Sequence, residues 1–387
     1  MKDLANIYKK HLDEMCLKYP TYHTASPGER DRADYIEKTF QSYGLKTRRE
    51  AYPVRGWDFV SFSFYDVTAQ KDVPFAACQY FSGSVDFEGK LLVVNPEQVC
   101  SITQPDVANQ LIFLTGDLGT FENGDFAEKM EALGAAGVIY AQTDPFVGYP
   151  HTKISRSPYI NHIGTCVVSP LGAAYLSANL DHTYRFVVDA TPYDTVSDNI
   201  VAYVEGDDTK VVFGAHYDSA PLLQGAGDNA SGTAMLLEMA RLMKDHSNGH
   251  TLEFVAFTAE EYCERPPAKG AKGSNAYLEQ HEGENIACFI NFDDYCASPL
   301  FAKTALGVGH MEKLPSIDWP LTPEAPILCS DDVPFFHRGI PVIFIAQRKK
   351  INVVHTVQDT VDFIDFDAMA AITPKYVDIA TQLLQKL

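Results

Sequence analysis

The sequence predicts an α/β protein, a mostly parallel mixed sheet sandwiched by helices, with a small β-rich domain inserted into it. Three observations carry this. From about Asn199 onward, apolar strand-like runs alternate with helical segments, as in a sheet covered on both faces. From roughly Phe59 to Val188 the runs are shorter and turn residues more frequent, which reads as a module of its own. The 387 residues also suffice for two or three domains of ~100–200 residues each. The expected division is a discontinuous domain at 1–60 and 190–387, with an insert at 61–189.

Each element has a local reason. An amphipathic segment, about Leu4 to Leu17, is expected to pack beside the first well-marked helix. That helix starts at Ser26-Pro-Gly-Glu29, where Ser26 suits the N-cap, Pro27 the first turn and Glu29 a capping box. Ala33, Ile36 and Phe40 share a face, and Gly44 ends it. In the insert, Phe59–Tyr65, Leu91–Val94, Gln110–Leu114 and Val138–Ala141 read as strands and Asp125–Leu133 as a helix. Beyond it, strands are expected at Ile200–Val204, Val211–Ala215, Leu252–Phe257, Ile286–Phe292 and Val342–Ala346. Helices are expected at Ala230–Met243, Ser274–Gln280 and Phe366–Leu384, the last broken by Pro374.

Composition narrows the function classes. Apolar residues make up 46% and charged residues 21%, which fits a globular chain rather than a disordered one. A net charge of −20 argues against nucleic acid or anionic membrane as a partner. No apolar run approaches the ~18 residues of a membrane span. The N-terminus, Met1-Lys-Asp-Leu-Ala-Asn-Ile-Tyr8, has no signal-peptide pattern, so the expectation is a cytoplasmic protein, or a secreted or periplasmic one from which a leader has been removed. The eight cysteines include no pair three apart, which removes the CxxC zinc and redox patterns. Most are expected to be small buried hydrophobes.

The chemistry-bearing residues follow the apolar strands. Val211–Ala215 leads into His216-Tyr-Asp218, Leu252–Phe257 into Glu260-Glu261, and Ile286–Phe292 into Asp293-Asp294. Ligands of open α/β sheets bind outside the carboxyl ends of strands. Gly227-Asp228-Asn-Ala-Ser-Gly232 leads into a helix, and His355 lies after the last strand. Singly, each has a plainer reading: a hydrogen-bonded histidine, a solvated glutamate pair, a carboxylate at a helix start. Together, His216, Asp228, Glu261, Asp293 and His355 form an imidazole–carboxylate set without thiolate, which suits catalytic zinc. With one bridging carboxylate the five would hold two metals ~3.5–4 Å apart.

These segments resemble the M28 family of aminopeptidase-like zinc peptidases. The motifs that carry the resemblance are His216-Tyr-Asp-Ser219, Gly225-Ala-Gly-Asp-Asn-Ala-Ser-Gly232, Ala259-Glu-Glu261, Asn291-Phe-Asp293, Ser330-Asp-Asp-Val-Pro-Phe335 with Gly339-Ile-Pro341, and His355-Thr-Val-Gln-Asp359-Thr360. Ser26–Arg30 and Ala33–Ile36 are similar to the family's N-terminal helix. The resemblance implies the three-layer zinc-peptidase fold. It also implies two zinc ions, one on His216, Asp228 and Asp293, the other on Asp228, Glu261 and His355. Glu260 would be the general base, Asp218 would orient the His216 imidazole, and the bond after Asp228 would be cis. The implied activity is hydrolysis of the N-terminal bond of peptide substrates through a metal-bridging hydroxide. The middle segment, with Phe87–Val94, Ala135–Tyr140 and Val167–Pro170, is similar to the protease-associated insert of such enzymes.

The chain also departs from the family pattern. Tyr262-Cys-Glu-Arg-Pro-Pro-Ala-Lys269 intervenes before Gly270-Ala-Lys-Gly-Ser274, and its prolines imply a stiff loop beside the metals. Position 332 is Asp where the family more often has His, and Ala325-Pro-Ile-Leu-Cys329, just before Ser330, holds no tyrosine of the kind that stabilises the oxyanion in some members. Tyr262 and Tyr295 are the candidates for that task. Arg348-Lys-Lys350 reads as a solvated loop or, with Tyr262, as a substrate contact. The alternatives on this fold are a single-zinc glutaminyl cyclase, a dipeptidase or carboxypeptidase, and a non-catalytic binding protein. The intact Asp-Asn-Ala-Ser-Gly motif and the retained Glu260 weigh against the first and the last. Ser219 and Ser231 lack the Gly-x-Ser-x-Gly elbow of serine hydrolases.

Overall fold

Two helices and a long strand open the chain: α1 (Lys2–Cys16), α2 (Pro27–Ser42) and β1 (Lys46–Asp66). The computed structural model describes residues 2–116, 122–142, 162–262, 271–293, 301–326, 328–349 and 353–387. Short elements follow β1: β2 (Lys71–Asp72), β3 (Ala76–Cys78), β4 (Val85–Gly89), β5 (Leu91–Val94), α3 (Gln104–Val107) and β6 (Leu111–Leu114). Then come α4 (Glu122–Ala132), β7 (Gly137–Ala141), β8 (Gly164–Val168), α5 (Pro170–Ala178) and a second long strand, β9 (Tyr184–Val204). The rest is β10 (Thr209–His216), α6 (Ser231–Met243), β11 (Thr251–Phe257), α7 (Lys272–Gln280), β12 (Asn285–Phe292), β13 (Phe301–Gly309), α8 (Asp332–His337), β14 (Val342–Lys349) and α9 (Phe366–Lys386).

The chain divides into two units, Met1–Val54 with Val196–Leu387, and Arg55–Thr195. The divisions fall inside β1 and β9, so the segments Phe59–Tyr65 and Ile200–Val204 are parts of two 21-residue strands. In the first unit the sheet order is β13-β14-β12-β10-β11-β9-β1. β10 runs parallel to β11 and β12, and β12 parallel to β14. β13 and β9 add antiparallel flanks. Strand alternation feeds two layers. Val211, Phe213 and Ala215 face one core with Leu252, Phe254 and Ala256. Val212, Val255 and Phe257 face the other, against Tyr277 of α7 and Phe335 of α8. The larger core is filled by α1, α6 and α9, through Tyr8, Leu12, Met235, Met239, Ile379 and Leu383. Helix α6 is buried nearly all round, which accounts for its apolar composition.

The second unit has a five-stranded sheet in the order β3-β8-β7-β6-β5, parallel except for β3. Its core includes Val94, Ile112, Leu114, Phe126, Met130, Val138 and Tyr140. The unit is thus α/β with a parallel centre.

Two local expectations need correction. Pro374 does not break the last helix, which runs unbroken through it. Met369, Ala370, Thr373, Tyr376, Ile379, Ala380 and Leu383 are buried around it, and that packing outweighs the ~3 kcal/mol cost of an interior proline. Glu29 does not complete a capping box. The Ser26 hydroxyl accepts from Glu29 N at 3.1 Å as expected, but the Glu29 carboxylate turns inward to the hydroxyls of Ser197, Thr258 and Tyr217. Of the cysteines, Cys16, Cys78, Cys166 and Cys288 are buried, and Cys100 and Cys329 are exposed. Cys263 and Cys296 lie outside the described residues.

Arg32 ties the N-terminal helices to the strand ends. Its fully buried guanidinium donates to Met15 O at 2.9 and 2.7 Å, to Tyr217 O at 2.7 Å and to Gln224 O at 3.0 Å. It also lies 3.8 Å from the centre of the Tyr22 ring. Arg32→Leu would strand three carbonyls, two of them buried, so we expect a loss of about 3 kcal/mol of unfolding free energy. An exposed charge such as Lys9, paired to Asp13 at 2.6 Å, should change it by less than ~0.5 kcal/mol on replacement by Ala. Denaturant midpoints of the two variants check the contrast.

Candidate metal centre

Every side chain of the candidate centre comes from a strand end or the loop that follows it. His216 is the last residue of β10, Asp293 follows β12, and Glu260 and Glu261 follow β11. Asp228 sits in a buried loop before α6, with non-helical backbone at Asp228 and Asn229 and a cis bond between them. That loop is pinned from three sides. The Asp359 carboxylate accepts from Gly227 N at 2.6 Å and from Asp228 N at 3.0 Å. Asn229 Nδ2 donates to Phe292 O, and its Oδ1 accepts from Gly232 N. A Cβ at Gly232 would lie 2.3 Å from Phe292 O, so only glycine allows this approach.

The five sequence-predicted metal residues converge. His216 Nε2 lies 3.1 Å from Asp228 Oδ1 and 3.2 Å from Asp293 Oδ1. His355 Nε2 lies 3.2 Å from Asp228 Oδ2 and 3.0 Å from Glu261 Oε1. In each trio, His216–Asp228–Asp293 and Asp228–Glu261–His355, the ligand atoms lie within 4.8 Å of one another. One carboxylate therefore offers one oxygen to each group. Burial works against a charged His216, yet Asp293, Asp218 and Asp228 outweigh it and hold the imidazole well above its ordinary pKa. Burial likewise opposes ionisation of Asp228, but His216 and His355 hold it well below the usual carboxylate range. So much negative charge in a buried place calls for a cation.

Asp218 serves more than the His216 imidazole. Its Oδ1 accepts from Glu260 N at 3.2 Å, and its Oδ2 from Glu261 N at 3.1 Å and Thr24 Oγ1 at 3.0 Å. His216 Nδ1 is nearer the Asp218 carbonyl oxygen, 3.2 Å, than its carboxylate, 3.5 Å. The carboxylate thus stands beside the imidazole and also holds the turn that carries the two glutamates. Sequence reasoning also gave no role to Asp359, Arg32 or Thr24. Asp359 was visible only as part of a motif.

The other candidates are less informative. Tyr262 is buried, with Lys272 Nζ 5.3 Å from its ring centre. Asp332 is buried, and its Oδ1 accepts from Ser330 N at 3.1 Å. Burial pushes its carboxyl up to about 7. The Arg348 side chain, Tyr295 and the 263–269 stretch of the insertion lie outside the description.

Residues 199–299 and 317–378 match the model of peptidase family M28. This chain carries a domain of peptidase family M28. An aminopeptidase of Pseudomonas aeruginosa is 27% identical over 303 residues, covering 72% of this chain and 54% of the relative. Aminopeptidase Y of Saccharomyces cerevisiae is 24% identical over 376 residues, covering 87% and 67%. The chain thus spans about half the length of the Pseudomonas relative. Among solved structures, a zinc aminopeptidase from Bacillus subtilis superposes with a TM-score of 0.74 at 18% identity, covering 97% of this chain and 94% of that one. A peptidase M28 precursor from Shewanella amazonensis gives 0.75 at 18%, covering 100% and 96%. The mixed sheet flanked by helices is the M28 fold.

The donor atoms of the two trios fit zinc. Tetrahedral zinc with ligands at about 2.1 Å separates donor atoms by about 3.4 Å. The observed 3.0–3.2 Å separations are close to that. Removing the carboxylate behind a ligand typically weakens a metal site 10–100-fold. Asp359→Ala, which frees Gly227 N and Asp228 N, is expected to lower zinc affinity by ~10–100-fold, read by competition with a chromophoric chelator.

Proposed function

We propose that this chain is a binuclear zinc aminopeptidase. One zinc would be held by His216, Asp228 and Asp293, the other by Asp228, Glu261 and His355. The observation that carries the reading is the Asp228 carboxylate, which directs one oxygen to each imidazole–carboxylate group. The aminopeptidase names of its relatives support the choice of reaction. Bound zinc would supply positive charge to polarise a scissile carbonyl and acidify water.

The remaining work belongs to the chain's own groups. Glu260 is the proposed general base, taking a proton from water and passing it to the leaving amine. Its backbone N–H on Asp218 Oδ1 fixes where its side chain starts. The excess of carboxylates would attract a free α-ammonium group, which favours cleavage at the N-terminus. We read the unit 55–195 as a protease-associated-type insert.

Glu260→Gln keeps the shape and removes the base. It is expected to lower turnover of an unblocked aminoacyl reporter by ~10²–10⁴-fold, with zinc content unchanged. Chelator treatment should abolish native activity and added zinc restore it. Undiminished turnover in Glu260→Gln would reject Glu260 as base.

A further inference from the structure

The turn that carries Glu260 and Glu261 is gripped from behind at Thr258. Every polar group of this residue is engaged. Its N–H donates to Asn199 Oδ1 at 3.3 Å, and its carbonyl accepts from Tyr52 Oη at 2.9 Å. Its hydroxyl donates to Glu29 Oε1 at 2.7 Å. There is no slack around it. A Cβ at Gly273 would lie 2.2 Å from Thr258 O and 2.8 Å from Tyr52 Oη.

Glu29 is the hub of this grip. It lies on α2, 229 residues from Thr258 in sequence, and is 1% exposed. The same oxygen accepts from Ser197 Oγ and lies 3.2 Å from Tyr217 Oη. Tyr217 stands between His216 and Asp218, and its hydroxyl donates to Asp198 O at 2.7 Å. Glu29 therefore joins the residue after β11 to the residue after β10. The residue following Thr258, Ala259, has φ +56°. A left-handed backbone at a residue with a side chain is disfavoured, so it needs an external hold.

We propose that Glu29 is a positioning residue for the base-bearing turn, fixing Thr258–Glu261 against the strand end that carries His216. The inference rests on Glu260 acting as base. Glu29 itself touches neither substrate nor metal ligands. Its effect would come through geometry, where an error of ~1 Å costs about 10²-fold in rate.

The test uses the full zinc-loaded chain and three substitutions: Glu29→Ala, Glu29→Gln and Thr258→Val. Turnover, KM, zinc content and backbone hydrogen exchange are measured together. Glu29→Ala and Thr258→Val should lower kcat by ~10–100-fold with KM changed less than ~2-fold. Zinc content should stay at the native value. Glu29→Gln, whose amide oxygen still accepts from Thr258, should recover most of the loss. Exchange should quicken in 258–262 and stay unchanged in 231–243. The double variant Glu29→Ala/Thr258→Val should be no slower than Glu29→Ala, since both act on one contact. Native kcat in Glu29→Ala overturns the proposal. So does zinc loss, or exchange that quickens equally in both segments, since either marks a general structural role. If Glu29→Ala does not fold, Thr258→Val and Glu29→Gln decide by the same readings. If the native protein releases no amine from any reporter, the aminopeptidase reading fails and exchange alone judges the grip. Unchanged exchange in 258–262 would then reject it.

Discussion

The Asp218 carboxylate is the point on which the centre depends. Its two oxygens accept from two consecutive backbone N–H groups, Glu260 and Glu261, and from the hydroxyl of Thr24. It is fully buried, two residues past His216. A buried ion is costly unless its lone pairs are met, and here three donors meet them. One side chain thus sets the position of β10's end, of the turn after β11 and of the segment before α2. The backbone of both Glu260 and Glu261 is held by this one carboxylate.

That arrangement concentrates negative charge, and the fold supports it in two ways. Arg32 places a buried positive charge behind the loops, bonded to Tyr217 O and Gln224 O. Asp359 takes two further N–H groups at the Asp228 loop, so the loop's donors are satisfied without water. In front, the two trios leave carboxylates facing imidazoles at 3.0–3.2 Å. Charge behind the centre is balanced by protein, and charge inside it by imidazoles together with whatever cation enters. This division explains why the supporting residues are fully bonded while the trios keep ligand atoms aimed at common points.

The sequence made the sheet, the larger helices and the five candidate ligands legible because these depend on local signals. Apolar periodicity marks strands and helices, and strand ends place polar residues at the mouth of the sheet. The supporting contacts were not legible. Thr24 and Asp218 are 194 residues apart, and Arg32 and Tyr217 are 185 apart. No spacing rule connects such pairs. Glu29 shows the limit most clearly. Its position after Ser26 satisfies a local capping rule, yet its carboxylate is taken by tertiary partners. Pro374 fails in the same way, since packing of the buried face of α9, before and after the proline, overrides a local breaker. Strand β13 was missed as well, because a flanking strand in a mixed sheet carries no strong pattern of its own.

The backbone around the centre follows from the same constraint. Ala25, Leu222, Ala259 and His355 all have φ between +56° and +65°, although none is glycine. Each lies in a segment bound to the centre or to its supports. Leu222 N donates to Thr21 Oγ1 at 2.8 Å, and Ala25 O accepts from Arg30 at 2.6 Å. Isolated turns of this kind would relax to ordinary backbone, because a side chain in the left-handed region is disfavoured. They persist where surrounding contacts over-determine them. The N-terminal segment supplies many of those contacts, through Thr21, Thr24, Glu29 and Arg32. The first two helices are therefore part of the centre's construction, even though none of the five proposed metal ligands comes from them.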